Sequence, residues 1–149
     1  MKRIRIYTDG GCSGNPGPGA WAYILIDPEG TARNAGFVAE TTNNRMELRA
    51  VIEALEAVRR RGDSACAQIE LFTDSQYVKN GITDWIHNWI RNGWKTRSKQ
   101  PVKNQDLWKL LLSSSSTMSI HWRWLQGHAG DRYNEDCDRL VQQTIRQGR

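Results

Sequence analysis

Four carboxylates stand where a solvated charge is not expected. Asp9 closes an alternating run, Ile4 and Ile6 against Arg5 and Tyr7, that reads as a strand, and Asp74 closes a second short strand just before a helix. Ligands of open α/β sheets bind at such strand ends. Glu47 borders the apolar stripe of a helix, beside Leu48 and four residues before Val51, and Asp138 precedes Val141 and Ile145 by three and seven on the apolar face of another. Each has an ordinary structural explanation. Asp9 could cap a turn, Glu47 could complete a capping box with Asn44, Asp74 could be an N-cap, and Asp138 could pair with Arg139 or Arg132 at the surface. Brought together, four carboxylates would repel one another, and the usual remedy is a divalent cation with oxygen ligands. No Cys or His cluster is present to recruit zinc, so magnesium or manganese is the matched ion. Two ions about 4 Å apart could activate water on one side of a phosphorus and stabilise the leaving oxygen on the other, which makes phosphodiester hydrolysis the reaction these parts suit.

The charge distribution supplies a partner. Lys and Arg number 21 against 16 Asp and Glu, a net +5. The window from Lys79 to Lys109 holds seven basic and two acidic residues and so carries the entire excess. A neutral body with its net charge on one segment points to a docking surface for a polyanion, although a solvated face is the commoner use of basic runs. Carboxylates repel phosphate, so metal would have to mediate between the two. The longest apolar run, Ala20 to Ile26, is far short of the roughly 18 residues of a membrane span. Three cysteines, Cys12, Cys66 and Cys137, form neither a disulfide framework nor a zinc motif. Tyr7-Thr8-Asp9-Gly10 stands where a signal peptide would place its apolar core, and a reducing, cytoplasmic location is expected.

The elements that must position these groups are legible in outline. The 149 residues, 38% hydrophobic and 25% charged, suit one domain. The first strand leads into a stiff, tight loop over Gly10 to Gly19. Trp21 to Ile26 and Thr31 to Glu40 continue an antiparallel meander around the turn Asp27-Pro28-Glu29-Gly30. Leu48, Val51, Ile52, Leu55 and Val58 predict a helix from about 44 to 60. A strand over Gln68 to Thr73 follows, then a helical stripe from Val78 to Trp89 with Asn80-Gly81 as a candidate break. A basic stretch from Asn92 to Lys103 precedes a short helix near 106–112 and a low-complexity loop, Ser113 to Ser116. Ile120, Trp122 and Trp124 alternate in a last strand, and Cys137, Leu140, Val141 and Ile145 define a closing helix. Five strands and four or five helices in this order describe a mixed α/β sheet.

Five segments in order, TDGGCSGNPGPG from Thr8, TTNNRMEL from Thr41, TDSQYV from Thr73, the Trp-rich basic segment, and GHAGDRYNEDCD from Gly127, resemble bacterial ribonuclease H of type 1 over nearly the whole chain. The resemblance implies a ribonuclease H-like fold, a five-stranded mixed sheet with flanking helices, acting as a monomer. It also implies hydrolysis of the RNA strand of RNA–DNA hybrids to 3′-hydroxyl and 5′-phosphate ends, with two Mg2+ ions that Mn2+ can replace. Asp9, Glu47, Asp74 and Asp138 match the family's metal-binding carboxylates. His128 matches a histidine credited with proton shuttling or product release; the intrinsic imidazole pKa of about 6.5 suits that work, although a lone His is otherwise usually structural.

Cys12, Asn15, Asn43, Asn44 and Gln76 match positions that contact the minor groove, where 2′-hydroxyls are displayed. Their local alternatives are caps for Asn43 and Asn44, a packed thiol for Cys12 and a turn former for Asn15. Thr42 and Arg45 are candidates for holding a DNA phosphate. Trp85, Trp94, Lys95, Arg97, Lys99 and Lys103 resemble the family's basic protrusion, here at about 79–109. Trp85 is expected at the groove, Trp89 packed, and Trp94 with the lysines on backbone phosphates. The serine run and the short tail after Ile145 depart from the family pattern and alter a connection and the terminus without removing activity. A DNA-cutting resolvase or integrase core and a non-catalytic hybrid-binding module are the competing readings. The asparagines with Gln76 argue against the first, and the full set of carboxylates argues against the second.

Overall fold

The computed structural model of the chain describes residues 2–62, 66–126 and 131–149. Strands β1 (Lys2–Cys12), β2 (Gly17–Asp27), β3 (Gly30–Thr41), β4 (Ala67–Thr73) and β5 (Ser119–Trp124) form one sheet in the order β3-β2-β1-β4-β5. The β3-β2-β1 half is antiparallel and the β1-β4-β5 half parallel, so the expected mixed sheet is present. Helices α1 (Asn43–Arg60), α2 (Gln76–Asn80), α3 (Ile86–Arg91), α4 (Gln105–Ser115) and α5 (Arg132–Gly148) flank it. Among the described residues no helix is long and apolar enough to cross a membrane.

Period-2 and period-3.6 patterns sort the core onto the two faces. On one face Leu48, Val51, Leu55 and Val58 of α1 pack with Ile4, Ile6, Ile69 and Leu71, each wholly removed from water. Burial of each such side chain contributes roughly 1.5–3 kcal/mol. Trp108 and Leu111 of α4 extend that layer. On the other face Cys137, Val141 and Ile145 of α5 cover Tyr7, Ala20, Ala22 and Ile24.

Four expectations are corrected. Gly10 to Gly19 is largely strand: β1 runs on to Cys12 and pairs Gly10 with Trp21, Gly11 with Ala20 and Cys12 with Gly19. Glycine here permits close approach of other backbone. Of Thr42, Asn43 and Asn44, which the sequence offers together as capping residues, Thr42 caps α1, its hydroxyl accepting from the Arg45 N–H at 3.3 Å, whereas Asn43 and Asn44 lie inside the helix and neither caps it. Asn80-Gly81 does not break the helical stripe; Gly81–Trp85 is a π-helical turn joining α2 to α3. A Cβ on Gly81 would stand 2.0 Å from the Trp108 ring, so this glycine lets an indole lie directly on the backbone. The serine run is not a loop, because Ser113 to Ser115 complete α4. Ser114 is buried and donates to Glu56 at 2.7 Å, and the Ser113 and Ser114 carbonyls accept from Arg59. The apparent low complexity is a polar seam between α4 and α1.

Candidate active site

The parallel register pairs Tyr7 with Phe72. Carried two residues on, it sets Asp9, which lies three residues short of the end of β1 and not at its close as expected, level with Asp74 just past the end of β4. From these ends the chain turns to opposite sides, from β1 to β2 and from β4 towards β5, a topological switch point where a crevice opens. Glu47 reaches the same crevice from the second turn of α1. Ligand oxygens of Asp9, Glu47 and Asp74 all lie within 4.8 Å of one another. Asp138 of α5 lines the same cleft, of about 400 Å3, with Asn43, Asn134, Glu135 and Arg139 on its walls. The surface pairing considered for Asp138 is absent, since Arg139 bonds Asp136 and the Arg132 guanidinium lies over Tyr133.

The carboxylates are held at a cost. Asp9 is 7% and Glu47 8% exposed. Burial, then the neighbouring charges of Glu47, Asp74 and Asp138, push the Asp9 carboxyl up to about 9. Burial and Asp74 push Glu47 up to about 8, against the opposing pull of the Gly10 N–H and the Ser75 hydroxyl. Without a cation these groups retain protons; with one they offer an all-oxygen donor set. That set fits a hard divalent ion such as Mg2+. The nearby Cys137 is no competing ligand: its buried thiol is raised well above its ordinary value and donates to the Tyr7 and Ala22 carbonyls.

The capping box expected of Glu47 with Asn44 is not formed; the carboxylate instead accepts from the Gly10 N–H at 2.6 Å. Gly10 has no room for a side chain, because a Cβ would stand 2.3 Å from the Met46 carbonyl carbon and 2.4 Å from the Glu47 nitrogen. Gly10→Ala is therefore expected to lever α1 from β1, separating Glu47 from Asp9. Thermal melting should show a loss of about 1–3 kcal/mol, and divalent-cation affinity should fall with it.

Of the other predicted residues, Asn43 stands on the rim of the cleft. The Asn15 side chain accepts from the Asn43 N–H at 3.1 Å, tying the β1–β2 turn to the start of α1. Asn15, Asn43, Asn44 and Gln76 are all exposed. Cys12 is half-buried, its thiol donating to the Thr41 and Gly17 carbonyls. Arg45 is not free for a phosphate. Its guanidinium forks onto Asp106 at 2.8 and 3.0 Å and onto Asn104 at 3.2 Å, joining α1 to α4. Asn104 and the Trp108 indole both donate to the Tyr77 hydroxyl, bracing α2 against the same helix.

Trp89 is packed as expected, between Trp85, Trp94 and Trp108. Trp94 departs from expectation. It is drawn into this cluster beneath the Lys109 ammonium, while Lys95, Lys99 and Lys103 remain exposed. Their segment is an ordered hairpin, with a bridge from Lys95 to Pro101 and the Val102 N–H bonded to the Trp94 carbonyl. His128 lies outside the described residues. The sequence reading missed Ser75, Asn134 and the Arg45–Asp106 tie. Only Asn134 left a signal, standing one helical turn before Asp138.

A crevice of carboxylates at a switch point, beside a basic aromatic hairpin, is built for phosphate esters of a long polyanion, and the class so defined is the nucleases of mixed α/β fold. Within it, this chain belongs to the RNase H family, whose sequence profile matches residues 1–146. A protein named Ribonuclease H from Rhodopseudomonas palustris (strain TIE-1) is 53% identical over 149 residues, covering 100% of this chain and 93% of that protein. Among solved structures, LC9-RNase H1, described as a type 1 RNase H with the type 2 active-site motif, superposes with a TM-score of 0.85 at 32% identity. That match covers 99% of this chain and 74% of its own. LC11-RNase H1, solved in complex with an RNA/DNA hybrid, matches with a TM-score of 0.71 at 25% identity over 97% of this chain and 98% of that one.

Proposed function

We propose that the protein is an endoribonuclease that hydrolyses the RNA strand of RNA–DNA hybrids, leaving 3′-hydroxyl and 5′-phosphate ends. The observation that carries this is the convergence of Asp9, Glu47 and Asp74 in a chain of the RNase H family. The hybrid held by the LC11 relative supports the substrate. Asp9, Glu47, Asp74 and Asp138 would hold Mg2+, or Mn2+ in its place. Two bound ions supply charge neutralisation, activation of the attacking water and stabilisation of the leaving 3′-oxygen.

The chain's own residues supply the rest. The Gly10 N–H holds Glu47 in place, and the Ser75 hydroxyl helps keep it ionised. Asn15, Asn43, Asn44 and Gln76, with Cys12 beside them, face the minor groove and distinguish ribose by its 2′-hydroxyls. Thr42 secures the helix start that carries two of these asparagines. His128 moves a proton or helps release product. Trp85 meets the groove, and Lys95, Lys99 and Lys103 grip backbone phosphates. One domain with a basic protrusion at about 79–109 does this as a monomer. The three free thiols accord with a reducing, cytoplasmic setting.

A panel of labelled hybrid, double-stranded RNA and double-stranded DNA, each with and without Mg2+, tests the reading. Cleavage of the RNA strand of the hybrid alone, and only with Mg2+, is expected; cleavage of DNA would favour a resolvase-like enzyme. Neutralising Lys95, Lys99 and Lys103 together should weaken hybrid binding. It should also lower the slope of log affinity against log salt by about one unit for each phosphate that a lysine no longer neutralises. An unchanged slope would remove the hairpin from the interface.

A further inference from the structure

Asn134 of α5 extends the hydrolase reading above, on which its role rests. The residue is 6% exposed and lines the carboxylate cleft. Its backbone N–H is engaged by the Asp131 cap at 3.0 Å, but its carboxamide has no hydrogen-bond partner among the described residues. Such a group is uncommon in a native fold, because an amide buried without a partner is destabilising. Its place suggests what offsets that penalty. Asp138 stands one turn further along α5, so the two side chains share the face that looks into the cleft.

Most of the other described lining groups cannot donate to a phosphate. Asp9, Glu47, Asp74, Glu135 and Asp138 only accept hydrogen bonds once ionised. The Gly10 N–H is taken by Glu47, one Arg139 N–H by Asp136, and the Asn43 N–H by Asn15, which leaves two carboxamides as neutral donors: that of Asn43, exposed, and that of Asn134, buried among the carboxylates. A phosphodiester entering the cleft has anionic oxygens and no donor of its own. A neutral amide can donate to such an oxygen, whereas Lys or Arg at this position would pair with the carboxylates and compete with a divalent cation. We infer that the Asn134 carboxamide donates to a non-bridging oxygen of the substrate phosphate at the reacting bond, making Asn134 a further catalytic residue.

Asn134→Leu, near in volume and without polar atoms, tests this, with Asn134→Ala as a second variant should leucine be poorly housed. Two readouts are taken: the melting midpoint in chelator, and kcat and KM on a labelled hybrid in Mg2+. Loss of a hydrogen bond to a charged group predicts a kcat about tenfold to a hundredfold lower. KM should stay within about twofold, because many other contacts hold the duplex. The melting midpoint should equal or exceed that of the wild type, since an unpaired buried amide has been removed. A structural residue would behave oppositely, with activity and melting point falling together in both variants, and that result would overturn the inference. So would a kcat within about twofold of wild type in both. Failure of the wild type itself to cleave the hybrid would overturn the hydrolase reading and this inference with it.

Discussion

Asp9→Asn is expected to lower hybrid cleavage in Mg2+ by on the order of a thousandfold or more while leaving the fold and hybrid binding intact. Asp9 is buried in the crevice, flanked by Glu47, Asp74 and Asp138, and its ionised oxygens are what a cation would require. Asparagine keeps the shape, supplies one neutral oxygen and removes a negative charge from the cluster. The basic hairpin and the exposed asparagines are untouched, so binding measured in chelator should match the wild type. The metal-free variant should also melt higher, because the amide escapes the burial and repulsion that push the Asp9 carboxyl up to about 9. Undiminished cleavage by this variant would end the metal-site mechanism.

The second large effect is on stability against pH. Asp9 and Glu47 have folded-state values raised to about 9 and about 8, against ordinary values of 3.8 and 4.5. Below about pH 4 both states are protonated and the difference is nil. Above it the unfolded chain releases these protons while the folded chain keeps them. Stability in chelator should therefore fall as pH rises from about 4 to about 8 or 9, more steeply where the folded state holds more protons than the unfolded chain.

Asp27, held low by the Glu29 N–H and by Arg61 and Lys2, and Asp106, held low by Arg45, act with the opposite sign. Their contribution is lost only as pH falls below the ordinary carboxylate range, so the two windows do not overlap. Mg2+ should raise the melting point more at pH 8 than at pH 5, since ligands must be deprotonated to bind it. Asp9→Asn should flatten the chelated profile. A profile in chelator that is level from about pH 5 to pH 8 in the wild type would contradict the raised carboxyls.

Much of the site was legible because its signals are local. Asp9 and Asp74 mark the ends of alternating runs, and Glu47 and Asp138 interrupt apolar stripes at helical spacing. These are properties of a few consecutive residues, as are the basic window and the Thr42 to Arg60 pattern. The misreadings share the opposite character. Gly10 to Gly19 looked like a loop because glycine and proline punctuate chains, yet most of these glycines lie in strands that other backbone approaches closely. The serine run looked unstructured because serine favours turns, yet Glu56 and Arg59, more than fifty residues away, satisfy it within a helix.

By itself, the sequence determined which residue types were available and on which face of which element each would lie, since side-chain direction follows the period of strand and helix. It thereby determined an acidic set suited to divalent metal and a basic segment suited to phosphate. Only the tertiary structure decided which of these groups meet. The β1–β4 register sets Asp9 level with Asp74, α1 delivers Glu47 through the Gly10 contact, and the fork onto Asp106 ties Arg45 to the start of α4. It also enclosed Asn134 without a described partner and withdrew Trp94 beneath Lys109. Burial and partnership depend on what the rest of the chain brings alongside, and no window of neighbouring residues contains that information.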